Sequence, residues 1–163
     1  MKKWFIPGLA VLLLAGLDQI VKRWVLAVLK PAGPISLIPG VLELQYVENR
    51  GAAFGILQNR QWFFLVITGI VLLAMLWLYP RIKEGRRYLP LRLCVVFLSA
   101  GALGNLIDRI TRGYVVDFIY FKLIDFPVFN IADIYVTCSA FAMAFLMIFV
   151  YKEEDLEEIL GRR

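Results

Sequence analysis

An all-α membrane protein is the predicted fold class: four transmembrane helices, a small extracytoplasmic β-sheet and both termini in the cytoplasm. Three observations predict it. Of the 163 residues, 61% are hydrophobic and 19% charged, and the mean hydropathy is +0.74; ordinary soluble domains are only about half apolar. Three stretches, 61–79, 93–107 and 134–151, carry no charge and run for 19, 15 and 18 residues. The basic residues are also unevenly placed along the chain, in the way that the positive-inside rule describes.

The first span is drawn over 5–29. Its first 13 residues are uncharged before Asp18, Lys22 and Arg23 interrupt it. Lys2 and Lys3 ahead of an apolar run fit a signal peptide, but no A-x-A site follows and the apolar pattern resumes from Trp24 to Leu29. The segment is therefore expected to stay as an uncleaved span. The second span is 61–79. The third falls short as an uncharged run, and 89–107 restores the roughly 20 residues needed to cross the hydrocarbon, with Arg92 snorkelling. The fourth is 134–151.

With a cytoplasmic N-terminus, segments 1–4, 80–92 and 152–163 are inside and hold 10 Lys/Arg in 29 residues. Segments 30–60 and 108–133 are outer loops and hold 6 in 57. Within those loops, 41–48 alternates as a half-buried strand does, and 115–123 is rich in β-branched and aromatic residues, so a small sheet should lie over the outer helix ends. Pro31, Pro34, Pro39 and Gly40 punctuate the first loop. The acidic tail, with Leu156, Ile159 and Leu160 at helical spacing, reads as a short surface helix. The whole chain, 1–163, reads as a single integral membrane domain.

The ionisable residues converge on one side. Asp18 lies in the outer half of the first span with Lys22 one turn above it, the favourable order for an i,i+4 pair; each ion would be expensive alone in lipid. Asn105, Asp108 and Arg109 share a face at the outer end of the third span. Asn130 and Asp133 precede the fourth span, and Asp117 sits inside an apolar strand pattern, with Asn49 on the loop above. Each has a plain structural reading as well: an ion pair for Asp18 and Lys22, a helix end for Asp108 and Arg109, an N-cap for Asn130 or Asp133, a solvent-facing strand position for Asp117.

The chain contains no histidine, which excludes Ser-His-Asp and Cys-His catalysis and His-ligated metal. Cys94 and Cys138 lie apart in apolar runs and read as small hydrophobes. Of the serines Ser36, Ser99 and Ser139, two lie inside spans with no base nearby. The net charge of +5 comes without a basic stripe interleaved with aromatics, so no nucleic acid is expected. Paired carboxylates remain: two aspartates close together share one proton, one activating water while the other polarises the scissile carbonyl.

In these residues the chain resembles the lipoprotein signal peptidases (signal peptidase II), intramembrane aspartyl peptidases. The resemblance rests on Asp18-Gln19 with Lys22; on Asn49, Gly51, Ala53 and Phe54; on Gly101-Ala102-Leu103-Gly104-Asn105 with Asp108-Arg109; on Val116-Asp117-Phe118; and on Phe126-Pro127-Val128-Phe129-Asn130-Ile131-Ala132-Asp133. It departs at Ala100, often a further glycine there, and at Val21, often a small hydroxyl residue.

The resemblance implies a four-helix fold with a β-cradle, and a catalytic dyad of Asp117 and Asp133. It marks Asn49, Gly51, Asn105, Asp108, Arg109 and Asn130 as substrate-binding or supporting, with Asp18 and Lys22 as further support. It also implies a diacylglyceryl-modified prolipoprotein substrate cleaved on the N-terminal side of its lipidated cysteine. Membrane lipids are partners and globomycin is an inhibitor. No metal or cofactor is implied, and the setting is the bacterial inner (cytoplasmic) membrane with the active site at its outer face. Two other classes compete: a proton-coupled transporter, which calls for carboxylates at several depths, and a non-catalytic assembly subunit, which leaves Asp117 and Asp133 unexplained.

Overall fold

The computed structural model describes residues 2–51 and 60–159. Ala53 and Phe54 of the second motif and Leu160 of the tail lie outside the described residues. Four helices are long and apolar enough to cross a membrane: Trp4–Ala32, Gln61–Arg81, Leu89–Arg112 and Ile131–Val150. Helix α1 (Lys2–Trp24) continues through a π-helical turn, Val25–Leu29, and a last turn, Lys30–Ala32. Helix α2 is Gln61–Leu78, α3 Leu89–Arg112, α4 Ile131–Phe145, and α5, in the tail, Glu153–Ile159.

The first span runs to Ala32 rather than 29, and two further boundaries differ from expectation in ways that bear on the site. Helix α3 runs to Arg112 rather than 107, because charges at Asp108, Arg109 and Arg112 end an uncharged stretch without ending a helix. The stop is Gly113, at φ +76°, whose N–H bonds the carbonyl of Arg109. Helix α4 begins at Ile131 rather than 134. Asn130 and Asp133 form a capping box, each side chain accepting from the other's backbone N–H. Asp108 and Asp133 therefore belong to helix ends, not to a loop.

The sheet is antiparallel in the order β1 (Ile35–Ile38), β2 (Leu42–Asn49), β3 (Val115–Phe121). The sequence reading anticipated β2 and β3 and passed over β1. Its signal was Pro39-Gly40: Gly40 takes φ +73° and the Val41 N–H bonds the Ile38 carbonyl at 2.9 Å, a tight turn that joins β1 to β2. Leu44 pairs with Ile119 but Val47 with Asp117, so β2 carries one extra residue opposite β3. This bulge lies directly beside Asp117, a common place for a strand to re-aim its side chains.

Helix α3 is the hub, packing against α1, α2 and α4. Its seam with α4 admits no larger residue. A Cβ on Gly101 would meet the Ala132 carbonyl oxygen and stand 2.8 Å from Val136 Cγ2, and one on Gly104 would stand 3.3 Å from Ala132 Cβ and 2.7 Å from Asp18 Oδ2 of α1. Ala100, one departure from the family pattern, is fully buried there. Small residues let helix backbones approach, as membrane helices require in the absence of a hydrophobic drive between them. The outward faces carry Phe5, Leu13, Leu73, Phe141 and Phe149, all strongly exposed, as lipid-facing side chains are.

At one end of the bundle, Val25 and Leu29 of α1 pack under Val116 and Phe118 of β3. The first helix is longer than a bilayer needs, and this surplus carries the sheet. At the other end, Ile82, Tyr88, Leu91, Tyr151 and Ile159 form a second cluster that holds α5 down. There Asp155 pairs with Arg87 at 2.8 Å, accepts the Tyr88 hydroxyl, and Lys83 pairs with Glu158 at 2.6 Å.

Candidate active site

The polar residues at the sheet end form two connected layers. In the deeper one, Lys22, Asp18 and Asp108 are all fully buried. Lys22 Nζ stands 2.9 Å from Asp18 Oδ2, 2.9 Å from Asp108 Oδ2 and 2.9 Å from Asn105 Oδ1. Three ammonium hydrogens thus meet three acceptors. Arg112 supplies a second cation by pairing with Asp108, so two acids face two bases, the compensation a buried charge needs.

Both acids also grip backbone. Asp18 Oδ1 accepts the Ala132 N–H at 3.1 Å, one of the donors left unpaired in the first turn of α4. Asp108 Oδ2 accepts the Val116 N–H at 3.1 Å. These bonds position the starts of α4 and β3, the two elements that carry Asp133 and Asp117.

The upper layer is built from amides. Asn105 Oδ1 accepts from Lys22 and, at 3.2 Å, from Asn130 Nδ2. Its oxygen is thereby committed, and its Nδ2 turns to Asp133 Oδ1 at 2.7 Å. Asp133 Oδ2 accepts the Asn130 N–H at 3.1 Å. Asn130 Nδ2 also donates to Asp117 Oδ1 at 2.6 Å, and Asn49 Nδ2 donates to Asp117 Oδ2 at 2.8 Å. Asn49 lies opposite Val115 on the neighbouring strand, so Asp117 is its diagonal neighbour across the ladder. The Gly51 N–H bonds Asn49 Oδ1 at 3.0 Å and holds that amide in place.

Asp117 is 1% exposed. Burial, joined by the negative charge of Asp133, pushes its carboxyl up to about 7 from the ordinary 3.8, against the pull of the Asn49 and Asn130 hydrogen bonds and Lys22. Arg109 turns its guanidinium over the Phe64 ring of α2, 4.7 Å from the centroid. Its charge faces Asp133, Asp117 and Asp108, and its buried Nε has no hydrogen-bond partner among the described residues.

The structure thus gathers Asp18, Lys22, Asn49, Gly51, Asn105, Asp108, Asp117, Asn130 and Asp133 into one hydrogen-bonded system, with Arg109 alongside. Asn130 is extended rather than helical and reaches Asp133 through the capping box, so the N-cap reading and membership of the site are both true of it. Two residues join the site that were given no role from the sequence, Gln19, quoted only within the first motif, and Arg112. Gln19 donates to Asp18, to the Gly104 carbonyl at 3.1 Å and to Asp108 at 3.1 Å, and Arg112 pairs with Asp108. Arg112 had a visible signal, the same i,i+4 spacing that singled out Asp18 and Lys22.

Four membrane helices with a carboxylate pair held in amides at one end of the bundle define a membrane enzyme of the aspartic type. Comparisons narrow the class. The family model described as Signal peptidase (SPase) II matches residues 10–149. A lipoprotein signal peptidase of Streptococcus thermophilus (strain CNRZ 1066) is 43% identical over 155 residues, covering 95% of this chain and 97% of its own length. One of Clostridioides difficile (strain 630) is 44% identical over 142 residues, covering 87% and 92%. A bacterial membrane enzyme solved at 2.3 Å superposes with a TM-score of 0.79 at 34% identity, over 91% of this chain and 92% of that one. The chain belongs to the signal peptidase II family, the membrane aspartic peptidases.

Proposed function

We propose that Asp117 and Asp133 are the catalytic dyad with which this chain removes the signal peptide from diacylglyceryl-modified prolipoproteins, cutting on the N-terminal side of the lipidated cysteine. The observation that carries this reading is Asn130. Its side-chain amide donates to Asp117 at 2.6 Å and its backbone N–H to Asp133 at 3.1 Å, so one residue ties together two carboxylates from different elements. That the acids gather at one end of the bundle, rather than along a path through it, favours hydrolysis over proton transport.

The chemistry follows from one proton shared between two carboxyl groups, because neighbouring like charges resist ionising together. The ionised carboxylate takes a proton from water, and the water oxygen attacks the scissile carbonyl carbon. The protonated partner donates to the carbonyl oxygen. On collapse of the tetrahedral intermediate the C–N bond breaks and the leaving nitrogen takes up a proton from the dyad. Arg109, with its unpaired buried Nε, is the donor we assign to the substrate backbone; Asn49, Asn105 and Asn130 hold the carboxylates.

The sheet end faces the outside of the bacterial cytoplasmic (inner) membrane in this reading, and both termini face the cytoplasm, in keeping with the Lys/Arg-rich segments 80–92 and 152–163. A lipidated cysteine keeps its acyl chains in the bilayer, so the bond beside it lies at the hydrocarbon boundary, where a dyad held by helix ends can meet it.

Purified protein incubated with a lipidated prolipoprotein, with and without globomycin, should show a size shift that globomycin blocks. Asp117→Asn and Asp133→Asn should each abolish it while the protein still inserts. Turnover retained in either variant removes that residue from the dyad. For orientation, Ser36→Cys in a background lacking Cys94 and Cys138 should react with an impermeant maleimide added outside intact cells.

A further inference from the structure

The end of the bundle that carries both termini holds a second built feature, remote from the carboxylates. A trough of about 360 Å³ runs between α1 and α2 over α3, lined almost wholly by carbon, among it Gly8, Val11, Leu72, Leu76 and Val96. It adjoins two hollows of about 660 and 340 Å³. Tyr79 borders all three, and Arg92 borders the outer two. The mouth is basic: Arg86 lines the larger hollow and Arg81 the smaller, beside Lys83, which Glu158 pairs at 2.6 Å, and Glu84, which already has a partner.

Arg92 is the telling residue. It lies one turn into α3, inside the candidate span Leu89–Arg112, and its Nε and Nη2 donate at 3.2 and 2.9 Å to the Tyr79 hydroxyl, a neutral acceptor. Among the described residues no carboxylate pairs with it. A guanidinium there, still rich in unused donors, is matched to an anion, and its fork suits a phosphate. Trp4 and Tyr79 stand with ring centroids 5.8 Å apart at the same level, as aromatic residues do at a lipid headgroup boundary.

We propose that this is a binding site for an anionic phospholipid of the leaflet on the terminal side: an acyl chain in the trough between α1 and α2, the phosphate at Arg92 and Arg86. Charge selects this occupant. A signal peptide carries its basic residues at its N-terminal end and would be repelled by the three arginines Arg81, Arg86 and Arg92, and phosphatidylcholine, which offers the same phosphate, adds a choline cation that they disfavour.

The full chain, released from detergent in a native mass spectrometer with equal dioleoyl phosphatidylglycerol and dioleoyl phosphatidylcholine, should retain phosphatidylglycerol at least fivefold in preference. Arg86→Gln should weaken that preference, and Arg86→Gln with Arg92→Gln should erase it. Gly8→Phe, at a position where an added Cβ meets nothing within 4 Å, should lower retention of both lipids by blocking the trough. Millimolar glycerol phosphate should displace neither. Peptidase turnover reports that each variant is folded. Equal retention of the two lipids by the unaltered chain, an unchanged preference in Arg86→Gln alone, or displacement by glycerol phosphate overturns the proposal. The last result would mean a soluble phosphate site instead.

Discussion

Asp117→Asn separates the electrostatic cost of the proposed dyad from its hydrogen bonding. In the folded protein the Asp117 carboxyl sits at about 7 instead of 3.8. A raised folded value means that the native state holds its proton more tightly than the unfolded chain. The stability so gained is complete below pH 3.8 and is lost progressively as the pH climbs to about 7. The full loss is about 4 kcal/mol, at about 1.4 kcal/mol per pH unit of displacement. Asparagine has no charge to bury and escapes this loss. It has its own cost: its NH2 must face a donor, Asn49 Nδ2 or Asn130 Nδ2, where a neutral carboxyl hydroxyl still has a lone pair to offer. A donor left without an acceptor costs about 1–3 kcal/mol.

The two terms cross with pH. At pH 4 the variant should be less stable than the unaltered protein by roughly the hydrogen-bond cost. At pH 8.5 it should be more stable, by about 1–3 kcal/mol once that cost is deducted from the relief. The change in their difference between the two pH values, about 3–4 kcal/mol, does not depend on the hydrogen-bond term at all. Thermal unfolding in detergent, followed by tryptophan fluorescence at both pH values, measures it, and peptidase activity should be absent at both. Parallel melting curves, with the same displacement at pH 4 and pH 8.5, would refute the claim that Asp117 is buried against a like charge.

Peptide cleavage itself should fall as the pH rises through about 7, where the pair loses its single proton; a pH–rate profile flat from 6 to 9 would count against a shared proton. Lys22→Met leaves Asp18 and Asp108 without their common cation and should cost about 3–5 kcal/mol, read as loss of folded protein in the membrane, with Asp18→Asn and Asp108→Asn added together restoring part of it. Gly101→Ala drives a Cβ onto the Ala132 carbonyl oxygen and to 2.8 Å from Val136 Cγ2 and should cost about 1–3 kcal/mol. Because the Asn105–Asp133 bond crosses the same seam, its kcat should drop at least tenfold, and Val136→Ala, which leaves the Ala132 carbonyl in place, should recover only the smaller part of both.

The four spans were legible because bilayer thickness imposes a length and an absence of charge that few other pressures produce. Their ends were not, because charge was the wrong stop signal: Gly113 ends α3, and the Asn130–Asp133 capping box starts α4 three residues before the charge-free run begins. Strand β1 was hidden by its flanking prolines, though Pro39-Gly40 is itself a hairpin turn. The candidate residues could be named because polar side chains are scarce in so apolar a chain and each one demands an explanation. What no local pattern shows is orientation. That Asn105 turns its nitrogen toward Asp133 depends on Lys22, 83 positions away in the chain.

The two pairs of aspartates differ in what they are given, and that difference divides the labour of the site. Asp18 and Asp108 each pair with a cation and also hold a backbone N–H, of Ala132 and of Val116. Charge is neutralised and geometry fixed at once, which suits an anchor. Among the described residues, Asp117 and Asp133 receive hydrogen bonds from neutral amide donors alone: Asn49, Asn105, and the side chain and backbone of Asn130. Neutral donors hold a carboxylate in place without committing its charge, which is what the proposed dyad needs for a proton to pass on and off during turnover. A lysine in the place of Asn105 or Asn130 would satisfy the same oxygens and tie up the charge that the reaction has to move. The cation is therefore kept one amide away, where Lys22 orients Asn105 and Asn105, not Lys22, touches Asp133.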